Sequence, residues 1–395
     1  MKHITRAVWV LSLVSFFTDI ASEMLYPVLP IYLKIIGFSI LFIGILEGIA
    51  EATAGLSKGY FGKLSDVTGK RVPFVRMGYA LSAISKPMIV MLAHPIWVFF
   101  SRALDRLGKG LRTGARDALL SDEATPETKG KVFGFHRSMD TLGAVIGPLL
   151  ALIYLFFYPQ DYVTLFYLAF IPGIIAILFT FFLKDKQRTT EKNCKKTGFF
   201  SFIKYWKESP QTYRKIVIGL LLFTLFNSSD VFLLLKVKQA GLNDTMVIGT
   251  YIFYNLIYAI FSFPLGIMAD KFGLKRIFII GLVIYAAVYF GFALNENLHV
   301  FYGLFFLYGI YAAATEGISK AWLSNVTDQK DTATAIGAYS AFQSICTMLA
   351  SAIAGLLWYK FGSATTFVAT GSIAIIVAIY FMLIIRSNGK ELQTQ

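Results

Sequence analysis

One loop pattern is written twice in this 395-residue chain, and the two copies stand 204 positions apart. The first is Gly62-Lys-Leu-Ser-Asp66-Val-Thr-Gly69-Lys70-Arg71, the second Gly266-Ile-Met-Ala-Asp270-Lys-Phe-Gly273-Leu-Lys275-Arg276. Asp270 follows Asp66, Gly266 follows Gly62 and Gly273 follows Gly69 by that same interval. An offset near half the chain implies two related halves. Each copy also joins two long apolar stretches, which places the repeat inside a membrane protein.

Composition agrees. The chain is 56% hydrophobic and only 15% charged, against about 25% charged in soluble domains, and its mean hydropathy is +0.63. Apolar stretches long enough to cross about 30 Å of hydrocarbon recur at 7–33, 40–62, 72–93, 96–120, 132–157, 162–183, 215–236, 245–267, 276–294, 299–323, 333–358 and 364–385. The expected fold is an all-α membrane protein of twelve transmembrane helices in two pseudo-symmetric six-helix lobes. The lobes cover 1–183 and 215–395, with a linker at 184–214.

A net charge of +14 suits nucleic acid, but the location of the charge argues otherwise. Bases cluster in alternate loops, at Lys2 and Arg6, at Lys63, Lys70, Arg71 and Arg76, at Lys129 and Lys131, at Lys271, Lys275 and Arg276, and at Arg386 and Lys390. The linker adds Lys186, Arg188, Lys192, Lys195, Lys196, Lys204, Lys207 and Arg214, while the opposite loops hold little beyond Lys34, Lys236, Lys238 and Lys360. This positive-inside bias puts both termini and the linker in the cytoplasm. No nucleic-acid partner is expected. The start runs straight into the first segment without a cleavage site, so a retained helix and no signal peptide are expected. Cys194 and Cys346 form no disulfide framework, and the scattered His3, His94, His136 and His299 offer no metal or haem spacing. No cofactor is expected. The stretch 199–207 either lies on the inner leaflet as an amphipathic helix or simply tethers the lobes.

The repeated loop resembles the hairpin signature of the major facilitator superfamily of secondary transporters, Gly-x-Leu-Ala-Asp-Arg/Lys-x-Gly-Arg/Lys-Arg/Lys. The second copy is close; the first has Ser65 for the Ala and Val67 for the basic residue. The resemblance covers essentially the whole chain. It implies that Gly62, Asp66, Gly69, Lys70 and Arg71 hold the cytoplasmic side shut, with Asp66 meeting the start of segment 11 and a base near the end of segment 4, Arg116. Asp270 and Gly273 take the equivalent role in the second lobe.

Ionisable side chains at membrane depth are costly and mark a pathway or a paired network. Segment 1 carries Ser15, Thr18, Asp19, Ser22, Glu23 and Tyr26 on one stripe, and segment 2 carries Glu47, Glu51 and Lys58 on one face. Segment 3 adds Lys86. Segment 4 carries Arg102, Asp105, Arg106, Lys109, Arg112, Arg116 and Asp117, all within an arc of about 140° on a helical wheel. Five bases against two acids leave a surplus of +3. Gly108, Gly110 and Gly114 on the same segment allow another helix to come close. By resemblance, segments 1 and 4 face each other across the substrate path. The bland alternative is a set of mutually satisfied ion pairs.

Arg106-x-x-Lys109-Gly110 resembles the superfamily's segment 4 motif Arg-x-x-Gln-Gly-x-Gly with two departures, Lys109 and Arg112. Gly134, Gly143, Gly147-Pro148 and Ala151 on segment 5 fall one residue short of the antiporter motif; kinked packing is the rival explanation. His136, Arg137 and Asp140 suggest further gate pairing. In the second lobe, Asn227-Ser-Ser-Asp230 is a polar break where an unwound turn offers polar groups to a cavity. Glu316 sits 204 positions after Arg112 and Lys320 the same interval after Arg116; they face the cavity or neutralise each other. Tyr251, Tyr254 and Tyr258 share one face of segment 8 and are candidates to line the cavity.

The expected function is a secondary active transporter of the bacterial inner membrane, multi-pass and monomeric, moving a small solute by proton-coupled alternating access. Tyr26, Arg102, Arg106, Lys109, Arg112, Asn227, Asp230 and Glu316 are the expected substrate contacts, and Asp19, Glu23 or Glu51 the proton carrier. An arginine fork suits carboxylate or phosphate, so the expected solute is an organic anion, a phosphorylated metabolite or a metal chelate. Full cancellation by the carboxylates of segments 1 and 2 would instead favour sugars or amphiphilic drugs. A multidrug exporter or lipid flippase is the alternative. A membrane-embedded enzyme on a phosphorylated lipid is remote, because no nucleophile–base constellation exists.

Overall fold

The computed structural model describes residues 4–186 and 198–384. Lys2, His3, Arg188, Lys192, Cys194, Lys195, Lys196, Arg386 and Lys390 lie outside the described residues. The described residues form helices and no strand. Their order is α1 (Arg6–Glu23), α2 (Leu29–Ile35), α3 (Ile40–Thr68), α4 (Val72–Met91), α5 (Pro95–Asp122), α6 (Lys129–Phe157) and α7 (Tyr162–Thr180). After the linker come α8 (Tyr205–Glu208), α9 (Gln211–Phe226), α10 (Asp230–Gln239), α11 (Asp244–Phe272), α12 (Leu274–Leu294), α13 (Leu298–Asn325) and α14 (Thr332–Ile384).

Helix starts follow local chemistry. Thr5, Ser39, Asn243 and Asn297 each accept an otherwise orphaned amide of the first turn. Asp161 does so for α7, and the Tyr154 hydroxyl and Thr164 hold its carboxyl below the usual range. Glycine at positive φ ends α3 at Gly69 (65°) and α11 at Gly273 (98°), which is the conformational reason both loop copies carry glycine there. Over 53 residues, α14 would extend about 80 Å, so it breaks at Gly362, φ 82°.

Two expected segments are interrupted. Segment 1 is split into α1 and α2 by turns at 24–28, where Pro27 has no amide hydrogen and Pro30 opens α2. Segment 7 is split into α9 and α10 across Asn227–Ser229, the polar break foreseen from sequence. The two interruptions fall at equivalent places of the repeat, since Phe226 follows Glu23 by 203 positions. Leaving aside the four-residue α8 of the linker, and taking each split helix as one and α14 as two, the helices pair off with the twelve expected segments. Seven described stretches are long and apolar enough to cross a membrane. The continuous α14 stands for two expected segments, and the rest of the shortfall lies in α1 and α3–α5, where the charges sit.

In the first half α4 and α3 pack on α5, and α1 packs on α6 and α7. In the second half α11 and α12 pack on α13, and α14 packs on α12 and α9. The halves meet mainly along α6–α11 and α3–α14. Exposed Phe156, Phe157, Leu178, Ile218, Ile260 and Ile376 give the outer surface the apolar character that lipid requires. The linker's described end is not an extended amphipathic helix. It is two short turns that insert Phe202, 2% exposed, beside Gly59 of α3 and Ala338 and Ala341 of α14.

Candidate functional site

Both repeated loops lie at one end of the bundle, the hairpin end, and each sends its aspartate across to the opposite half. Asp66 accepts from the Thr334 amide at 2.6 Å and the Thr334 hydroxyl at 2.8 Å, in the first turn of α14. Asp270 accepts from the amides of Gly130 and Lys131, both at 2.7 Å, in the first turn of α6. A carboxylate there satisfies orphaned amides and meets the positive end of the helix dipole. Close backbone approach makes this reach feasible: a Cβ on Gly62 would lie 3.3 Å from the Gly337 Cα, and one on Gly130 2.6 Å from the Gly266 carbonyl.

The basic partner of Asp66 is Arg71, not Arg116. Arg71, 1% exposed, reaches Asp66 at 3.2 Å, Asp122 at the end of α5 at 2.5 Å, and the Gln329 carbonyl of the other half at 3.3 Å. Lys70 stays exposed, with its carbonyl accepting from Ser65. Arg116 lies deeper and pairs with its neighbour Asp117 at 2.9 Å, because nearly two turns of α5 separate it from Asp122 at the loop.

A second layer of pairs crosses between the halves above this end. Lys320 of α13 meets Asp117 at 2.8 Å, and Arg137 of α6 bridges Asp140 at 2.8 Å and Glu316 at 3.0 Å. Arg137 also donates to the Tyr258 hydroxyl, and Ser15 donates to Asp140. Glu316 and Lys320 therefore do not neutralise each other. Each is instead paired across the interface, Glu316 with Arg137 and Lys320 with Asp117.

Above these layers lies a cavity of about 820 Å³. Its charged lining comprises the acids Asp19, Glu23, Glu47, Glu51 and Asp105 and the bases Lys86, Arg102, Arg106, Lys109 and Arg112. Five acids meet five bases, so the segment 4 surplus is cancelled. Arg102 grips Glu47 two-pronged at 2.7 and 2.8 Å and touches Asp105 at 3.4 Å. Arg106 faces Glu47 at 3.6 Å and Glu51 at 3.8 Å, and Lys86 faces Asp105 at 3.8 Å. The forks expected to hold substrate are thus turned toward carboxylates of α3. Arg112 donates to the Ser82 hydroxyl at 2.5 Å and lies 4.5 Å from the centre of the Tyr79 ring. Lys109 is exposed to the cavity and has no ion-pair partner among the described residues. Asp19 also lines it with no hydrogen bond or ion pair among those residues.

The close-approach glycines of α5 serve as expected. A Cβ on Gly108 would stand 2.6 Å from the Gly78 carbonyl, and one on Gly114 3.0 Å from the Gly62 Cα. On α6, a Cβ on Gly143 would lie 2.9 Å from the Asp19 Cβ, and one on Gly147 2.8 Å from the Met24 amide nitrogen. Those two glycines seat α1 where it carries Asp19 and Glu23.

A second cavity of about 290 Å³ opens within the other half, around the α9–α10 interruption, and takes in Asn227, Asp230 and Glu316. All eleven expected substrate and proton residues thus line one cavity or the other. Tyr251, Tyr254 and Tyr258 line neither; Tyr251 donates to Glu23 at 3.0 Å and Tyr254 donates to Asp230. Sequence reasoning missed Gln343, Thr347 and Ser351, which line the second cavity. Their signal was a polar residue every fourth position along α14. No cluster suited to a metal ion exists among the described residues.

A profile of the Major Facilitator Superfamily matches residues 11–254 and 237–395. An uncharacterized MFS-type transporter of Methanocaldococcus jannaschii is 31% identical over 389 residues, covering 97% of this chain and 96% of that one. A multi-drug resistance efflux pump PmrA homolog of Lactococcus lactis is 24% identical, covering 87% of each. The fold is similar to that of the human organic anion transporter MFSD10 (TETRAN), with a TM-score of 0.83 at 15% identity over 95% of this chain and 99% of that one.

Proposed function

This chain belongs to the Major Facilitator Superfamily, and from that premise we propose that it carries a small anionic solute across the cytoplasmic membrane by proton-coupled alternating access. The hairpin end faces the cytoplasm in this reading, so the two layers of cross-lobe pairs form its inner gate, closed here. One observation carries the choice of an anion. In a lining whose charges cancel, Lys109 is an ammonium exposed to the cavity with no carboxylate at salt-bridge distance among the described residues. A carboxylate or phosphate docking there gains a charge-assisted bond without breaking an existing pair. Arg112, held by a hydroxyl and a ring rather than an acid, stands one turn away to share it.

The test is flux into proteoliposomes of labelled organic anions under an imposed pH gradient. Lys109→Gln should lower the initial rate about tenfold or more, in line with the loss of a charged hydrogen bond worth about 1.5–3 kcal/mol. Preferential transport of a cationic drug, indifferent to that substitution, would overturn the reading. Such an outcome would favour a drug exporter, the second reading, which rests on the cancelled cavity charge and the similarity to a multi-drug efflux pump.

Orientation has its own check. Reporter fusions after Phe157 or Ala293 are expected to report the outside and one after Lys186 the inside. Basic residues flanking the hairpin end, among them Lys63, Lys70, Lys131, Lys271 and Arg276, set that expectation. An outside signal at Lys186 inverts the gate assignment.

A further inference from the structure

The second cavity differs from the first in chemistry. It is formed wholly by residues of the C-terminal half, and none of them is basic. Two of its members are acids. Glu316 has its charge answered by Arg137 at 3.0 Å. Asp230 has no such answer: it accepts from the Tyr254 and Ser229 hydroxyls and meets no base among the described residues. It opens α10, where the helix end favours a carboxylate.

Aromatic rings surround this carboxylate. Tyr308 and Tyr311 line the cavity, with ring centres 5.4 Å apart. Tyr311 and Tyr285 clamp the Asn227 amide at 3.3 and 2.8 Å, and Tyr289 bonds Ser228 at 2.9 Å. The interrupted helix is thus braced by tyrosines, with no basic side chain in the lining. Gln343 and Thr347 face the same space and make no hydrogen bond among the described residues. A volume of about 290 Å³ is far more than one bare ion fills.

We propose that this chamber is an ammonium subsite, so that the solute is zwitterionic, its anionic end at Lys109 and its amine beside Asp230. An unanswered carboxylate with aromatic faces around it is what a substituted ammonium needs, through charge-assisted hydrogen bonds and cation–π contact. Ser351 lines both cavities, so a short solute passing that residue spans them. The solute then touches both lobes at once, its anionic end on a base of the first cavity and its amine in a chamber lined by no base. This inference rests on the anion reading at Lys109 and adds the second end.

Three probes separate the two ideas: 3-aminopropyl phosphate, propyl phosphate and propylamine, titrated calorimetrically into the full-length protein in nanodiscs. The zwitterion should bind about tenfold tighter than propyl phosphate, the scale of one desolvated cation–π or charge-assisted contact. Asp230→Asn should remove that advantage, so that the two phosphates bind alike, whereas Lys109→Gln should weaken both. Equal binding of the two phosphates to the unsubstituted protein overturns the ammonium subsite and leaves the anion reading standing. Tightest binding of propylamine, or binding of none of the three, overturns both. The comparison on the unsubstituted protein decides the matter even where Asp230→Asn fails to fold.

Discussion

Asp66→Ala should release the hairpin end. The carboxylate makes two connections across the halves, to the Thr334 amide and hydroxyl, and a third within its own loop, to Arg71, which itself reaches the Gln329 carbonyl of the other half. Hydrogen bonds to a charged group are each worth about 1.5–3 kcal/mol. Losing the set, with water replacing part of it, should weaken the sealed state by on the order of 3 kcal/mol, a shift of about a hundredfold. In a background lacking Cys194 and Cys346, a cysteine at Ser340, 3% exposed on α14, should react about tenfold faster or more with a water-soluble maleimide. Transport should fall about tenfold, because the cycle needs both sealed states. Asp270→Ala should do less: Asp270 holds two amides but no buried arginine. Unchanged labelling and transport in Asp66→Ala would show that the loop merely packs.

The hairpins were legible because their chemistry is local. A glycine at positive φ and an aspartate that caps a helix are written into a few consecutive residues. So was the interruption at Asn227–Ser229, where three consecutive polar residues compete with the helix for backbone groups. The matching interruption in the first half was not. Its residues are apolar, so hydropathy runs straight through 24–28, and only Pro27 and Pro30 hint at it.

Partner choice was the least legible feature. A helical wheel tells which face Arg102, Arg106 and Arg116 share, but not what stands opposite. That depends on how α3 and α13 are rotated about their axes. Hence Arg102 meets Glu47 and Lys320 meets Asp117 rather than Glu316. The charge sum of the cavity needed Lys86 of α4, which the wheel of α5 cannot show. Polar residues such as Thr347 and Ser351 were easy to overlook, since hydroxyls in membrane helices satisfy themselves on the preceding turn.

Asp19→Asn should abolish accumulation against a gradient while leaving exchange intact. Among the candidate acids, Glu23 holds Tyr251, Glu51 faces Arg106 and Asp230 holds Tyr254. Asp19 lines the cavity with no such commitment among the described residues, so its protonation changes without breaking a bond. Gly143 seats α1 against α6 at that residue, which fixes the carboxyl in place. The cavity lining carries five acids and five bases. A bound net anion adds one negative charge, and a proton on Asp19 restores the balance. For a solute whose own charges cancel, the proton instead offsets its anionic end at Lys109. Coupling of this kind is reciprocal: each ligand favours the other by the same factor. With Asp19 replaced by its amide, the accumulation ratio under a pH gradient should fall to about 1, the uncoupled limit. Counterflow exchange, which moves no net charge, should continue. Glu23→Gln keeps an acceptor for Tyr251 and should retain coupling. Concentrative uptake by Asp19→Asn, with loss of uptake in Glu23→Gln, would move the proton one turn along α1 and sink this assignment.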